Sequence, residues 1–90
     1  MIRYKQRKPV LLTPNPVRDE LKISMMQSRE QYAISRWEIF DLSGRLIADS
    51  KETLSEHIRI DVRDYPAQLY TVRITDITGA VDVYRFLKVE

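Results

Sequence analysis

Apolar residues in this chain recur at every second position, in short runs separated by turn-forming residues. That period of two commits it to strands rather than helices. Leu21, Ile23 and Met25 alternate with Lys22 and Ser24, and Trp37 and Ile39 with Arg36 and Glu38. Ile58, Ile60 and Val62 alternate with His57, Arg59 and Asp61, and Tyr70, Val72 and Ile74 with Thr71, Arg73 and Thr75. Successive side chains of a strand face opposite ways, so each run buries one face and wets the other. The last run is different. Val81, Val83, Leu87 and Val89 share one parity, interrupted by Arg85, while Tyr84 and Phe86 take the other. Apolar on both faces in part, it is expected to be central or covered. Shorter strands are expected over Arg45 to Ala48 and over Val10 to Leu12. Met26 to Ala33 is polar without a period and reads as a loop, with one helical turn as the alternative. About seven short strands, with turns roughly every eight to twelve residues, predict an all-β chain built as an Ig-like antiparallel β-sandwich.

The turn residues agree with this. The chain has only two glycines, Gly44 and Gly79. Each lies between two strand runs, where a hairpin commonly needs a positive φ. Asp41 to Arg45 and Asp76 to Gly79 are therefore expected hairpin turns. In Thr13-Pro14-Asn15-Pro16 the two prolines remove backbone donors and push the residues before them into extended geometry. That segment cannot be a central strand. Asn15, the one asparagine of the chain, is expected to hold a turn by bonding its local backbone.

Ninety residues make one domain, and at this size only ~60–65% of the extended surface is buried. A deep cofactor cavity is not expected. The composition, 43% hydrophobic and 31% charged, is that of a folded domain rather than a disordered one. The absence of cysteine removes disulfides and thiolate metal sites. No apolar run approaches the ~18 residues of a membrane-spanning helix, and the basic start, Met1 to Lys8, lacks the apolar stretch of a secretory signal. The net charge of +2 is uneven. The first seventeen residues hold Arg3, Lys5, Arg7 and Lys8 with no acid, while the remaining eleven basic residues face thirteen acidic ones. Residues 1–8 thus read as a basic linker stub and 9–90 as the domain. The body lacks the basic stripe that nucleic-acid binding needs.

Catalytic chemistry finds no foothold. There is no glycine-rich phosphate loop, nucleophile motif or metal spacing, so neither an enzyme nor a cofactor is expected. His57, the only histidine, shares its wet face with Asp61, and two groups are too few for a metal or a proton relay. Asp61, Asp64 and Asp76 fall on different elements and form no calcium loop. Trp37 is expected in the core, and Tyr70 is expected to send its hydroxyl to a backbone group at a sandwich corner. Arg85 and Lys88 read equally as receptor contacts or as solubilising charges.

Several segments, taken in order, carry a resemblance. Pro14-Asn15-Pro16 is followed by Leu21-Lys22-Ile23, and then by Trp37-Glu38-Ile39-Phe40-Asp41-Leu42-Ser43-Gly44-Arg45-Leu46-Ile47. Ile60-Asp61-Val62 leads to Tyr65-Pro66-Ala67-Gln68-Leu69-Tyr70-Thr71-Val72-Arg73-Ile74, and Phe86-Leu87-Lys88 closes the series. Over about residues 10–90 this order resembles the C-terminal sorting domains of the type IX secretion system. Gln68 stands where that family usually has glycine, and Thr13 where an aromatic often precedes Pro-Asn-Pro.

The resemblance implies a role without a reaction. It implies a non-catalytic sorting signal that directs a larger cargo to the cell surface or medium of a Gram-negative bacterium, via the periplasm. Its partners would be the type IX translocon, a surface peptidase and the cargo, which is not in this chain; a weak homodimer through an edge strand would also be open to it. The sorting-motif residues implied are Pro14, Asn15, Pro16, Gly44, Pro66, Ala67, Tyr70, Phe86 and Lys88. The signal is expected to be a folded shape with its final strand presented at one place, and Lys88 close to the charge of Glu90. Two other classes stay open. An Ig-like or fibronectin-like adhesion or carbohydrate-binding module would need Trp37, Tyr32 and Tyr84 clustered on the surface. A small nucleic-acid-binding barrel would need aromatics on a positive face.

Overall fold

The computed structural model describes residues 10–25, 33–50 and 57–90. The expected basic stub, the loop from Met26 and Tyr32 lie outside them. Seven strands follow in order: β1 (Val10–Thr13), β2 (Glu20–Met25), β3 (Ile34–Phe40), β4 (Leu46–Asp49), β5 (His57–Asp61), β6 (Leu69–Asp76) and β7 (Val81–Leu87). No helix occurs among the described residues. The strands form two antiparallel sheets, one ordered β1-β2-β5 and the other β4-β3-β6-β7. The sheets pack as a β-sandwich.

The period-two pattern becomes the core. Leu21, Ile23, Ile58, Ile60 and Val62 point inward from the small sheet, and Ile39, Tyr70, Val72, Ile74 and Phe86 meet them from the large one. Trp37 and Tyr84 pack partly buried against that cluster. Among the described residues, Trp37 and Tyr84 therefore do not form the exposed aromatic platform that a carbohydrate-binding module would need.

The β7 expectation is corrected. β7 is an edge strand, bonded to β6 alone in its sheet. Its Val81 and Val83 are 50% and 57% exposed, while Phe86 is 1% exposed. The small sheet covers only the Tyr84–Phe86 face.

Both predicted hairpins form with the same chemistry. Gly44 and Gly79 take φ of 89° and 92°, a region closed to most side chains. In each turn an aspartate opens the loop and its Oδ1 accepts from the residues inside. Asp41 Oδ1 takes the Ser43 N–H at 2.9 Å, the Ser43 hydroxyl at 2.7 Å and the Arg45 N–H at 2.9 Å. Asp76 Oδ1 takes the Thr78 N–H at 2.8 Å, the Thr78 hydroxyl at 2.6 Å and the Ala80 N–H at 3.1 Å. Asp-x-Ser/Thr-Gly-x is thus a repeated clamp that fixes both hairpins of the large sheet.

Candidate functional site

The sheet register brings the singled-out segments to one end of the sandwich. Phe40 pairs with Thr71, which pairs with Arg85. The Asp41–Arg45 turn therefore leaves β3 at the level where β6 begins and β7 finishes. Pro66 and Ala67 immediately precede β6 at that same end. The Asp76–Ala80 turn lies at the opposite end, where the Ile77 N–H donates to Ala33 O at 3.1 Å.

Pro14-Asn15-Pro16 crosses from β1 onto the end of β7. Asn15 Oδ1 accepts from the Leu87 N–H at 2.9 Å, and its Nδ2 donates to Arg85 O at 3.3 Å. The side-chain amide thus occupies the edge of β7 as a neighbouring peptide group would. Immediately after it, the Val17 N–H donates to Leu87 O at 2.8 Å and the Val89 N–H donates to Val17 O at 2.9 Å. Val17 and Lys88 form a parallel bridge, and Val17 is fully buried. The local turn bond expected of Asn15 is corrected: its partners lie 70 and 72 residues away. Val17, whose N–H would close a local turn on Asn15, gives it to Leu87 O instead.

A third set of bonds ties Tyr65 to Tyr70 into the same end. The Tyr70 hydroxyl donates to Pro66 O, as expected of a sandwich corner, and accepts from Gln68 Nε2 at 3.2 Å. The Lys88 N–H donates to Gln68 O at 2.9 Å. Gln68, standing where the family usually has glycine, turns its side chain to the support of Tyr70. Tyr70 stacks on Phe86 with ring centroids 5.2 Å apart and 18° between planes, and Tyr65 leans on Tyr70 at 5.4 Å. Burial pushes the Tyr65 hydroxyl pKa up, so it remains a neutral phenol.

The nine residues divide by accessibility. Pro14, Asn15, Pro16, Gly44, Pro66 and Ala67 are exposed, whereas Tyr70, Phe86 and Lys88 are buried. Lys88 departs from both readings made of it. It is 5% exposed, and its Nζ donates to Val89 O at 3.1 Å. No ion pair joins it to Glu90 among the described residues. Asn15 and Val17 together form a latch on the end of β7, and beside it the Lys88 stem is buried while its ammonium bonds its own chain. Arg85 and Glu90 are exposed. The exposed members at this end are therefore Pro14–Pro16, Pro66–Ala67 and Gly44, while Tyr70, Phe86 and Lys88 lie buried.

A charged cluster lies apart from this, on the outer face of the large sheet. Arg73 Nε reaches Glu38 Oε1 at 2.8 Å, and Arg36 Nη2 reaches Asp49 Oδ2 at 2.8 Å and Glu38 Oε2 at 3.5 Å. The Arg73 guanidinium holds the Glu38 carboxyl below its usual range and also sits over the Phe40 ring at 5.3 Å. Two cations and two carboxylates balance, so the cluster stitches β3, β4 and β6 together. Among the described residues no three His, Asp or Glu side chains converge as a metal site.

Compared with known families, residues 12–86 match the model of the secretion system C-terminal sorting domain. No curated protein matches the chain.

Proposed function

The chain belongs to the secretion system C-terminal sorting domain family, and from that premise we propose that it is a non-catalytic address read at the convergent end of its sandwich. Membership implies a link to the type IX secretion machinery and export of an attached cargo to the cell surface or medium. In the reading proposed here, the cargo reaches the periplasm first. The translocon then engages the exposed ridge of Pro14–Pro16, Pro66–Ala67 and the Gly44 turn, and a surface peptidase acts after passage. Tyr70, Phe86 and Lys88 hold that ridge in place.

One observation carries the proposal. Segments that lie far apart in sequence meet at one end, joined by the side chain of Asn15 across 70 residues. A shape assembled this way exists only after folding, so a receptor that reads it also reads the folded state. Fusing residues 9–90 to a periplasmic reporter in a type IX-competent host tests the role. Surface or medium export is expected, with periplasmic retention when the translocon is deleted. Equal export from the deletion strain would refute it.

A further inference from the structure

The edge of β7 has an unpaired stretch that the sorting reading does not use. Leu87 directs its N–H and C=O outward to Asn15 and Val17, and Arg85 directs its C=O outward to Asn15. Backbone groups alternate sides along a strand, so Val81 and Val83 also aim both of theirs outward, and Arg85 its N–H. Lys88, of the other parity, donates inward to Gln68 O, as this alternation requires. Among the described residues nothing pairs with β7 from Val81 to the Arg85 N–H. The open stretch is about 17 Å long.

The other three edges are blunted and this one is not. β1 and β4 have four residues each, and β1 runs directly into Pro14. β5 has five residues and turns His57, Arg59 and Asp61 outward. Short strands, charges, prolines and bulges are the usual guards of an edge. β7 has seven residues, no proline and an unshifted register against β6. Its outer face carries the half-exposed Val81 and Val83 and then Arg85, whose guanidinium makes no ion pair among the described residues.

We propose that β7 from Val81 to Arg85 docks an extended segment of a partner polypeptide, with apolar side chains at alternate positions and a carboxylate at the Arg85 end. Main-chain bonds to Val81, Val83 and Arg85 supply the attachment, and the alternate side chains cover the two valines. The Arg85 guanidinium selects the acid. A second copy of this chain fits less well. Antiparallel pairing centred on Val83 would set the copy's Gly79 turn level with Leu87, where Asn15 and Val17 already fill the edge.

Titrating the ¹⁵N-labelled 90-residue chain with blocked seven-residue peptides of alternating valine and threonine tests this. One pair of peptides carries aspartate at either end, and a second pair carries lysine instead. Shifts are expected at the Val81, Val83 and Arg85 amides, with affinity for one aspartate peptide at least about tenfold above its lysine counterpart. Val83→Pro removes an outward N–H without touching the bonds to β6, and should weaken binding by about tenfold or more. Arg85→Glu, a surface change that keeps the strand, should reverse the preference between aspartate and lysine peptides. Shifts centred on another edge, an unchanged preference in Arg85→Glu, or a β7-mediated dimer that excludes the peptide would overturn the proposal. The readout is direct binding, so its failure leaves the export role standing and the converse also holds.

Discussion

Asn15 spends its whole side chain on the backbone of β7, and its removal should be felt there first. Asn15→Ala loses two hydrogen bonds and is expected to cost about 1–2 kcal/mol in urea unfolding, with faster hydrogen exchange at Leu87. An unchanged exchange rate at Leu87 would show that the amide does not hold the latch. Tyr70→Phe keeps the stack on Phe86 but leaves Pro66 O and Gln68 Nε2 without their partner. It should cost about 1–3 kcal/mol by thermal unfolding; a neutral result would remove the corner from the account. The role of Tyr70 was legible in the sequence because a tyrosine with a proline four residues earlier offers a short-range partner. The partners of Asn15 were not legible, since they depend on where β7 finishes in space. Lys88 misled for a related reason. A lysine near a carboxyl-terminal glutamate reads as a surface charge, and only the Val17 bridge over it makes it a buried stem.

At the scale of elements, the large sheet is held by its two aspartate clamps and its outer ion network. Three of the carboxyls involved in local bonding sit below their ordinary values. Arg73 lowers Glu38, the Arg45 N–H and Ser43 lower Asp41, and the Arg63 N–H lowers Asp61. A carboxyl that titrates lower when folded binds its proton more readily when unfolded. The stabilisation is therefore complete above the unfolded value of about 4 and is lost as pH falls through the folded one. Urea midpoints should be level from neutral pH to about 5 and then fall, and Glu38→Gln should make that fall shallower. An identical acid limb in Glu38→Gln would mean the network does not contribute. Strand parity was legible wherever one face is plainly wet, as in β5 and β6. In β7 both faces carry apolar residues, and the choice of inner face is made by the opposing sheet. The clamps were half legible: the glycines marked both turns, while the role of Asp41 and Asp76 emerged from the matching bonds. Asp76→Ala, at a nearly buried site, is expected to cost about 2–3 kcal/mol by urea unfolding, and more than Asp41→Ala.

Over the whole molecule, the sandwich works as a frame that gathers dispersed short segments at one end. The sequence displayed those segments in order, and the resemblance they carry agrees with the family match over residues 12–86. Their meeting at one end was not readable from order alone, because it depends on strand register and on the crossing of Pro14–Pro16 to β7. The account's central claim is that this end is the one recognised. Two surface substitutions separate the ends: Ala67→Arg on the convergent ridge, and Ile77→Arg on the far turn, where Ile77 is 47% exposed. With both variants matched to wild type in thermal unfolding, surface export of a residue 9–90 fusion is the deciding measurement. The account predicts that Ala67→Arg leaves the reporter in the periplasm while Ile77→Arg is exported like wild type. Equal export of the two, or retention of Ile77→Arg alone, would contradict it.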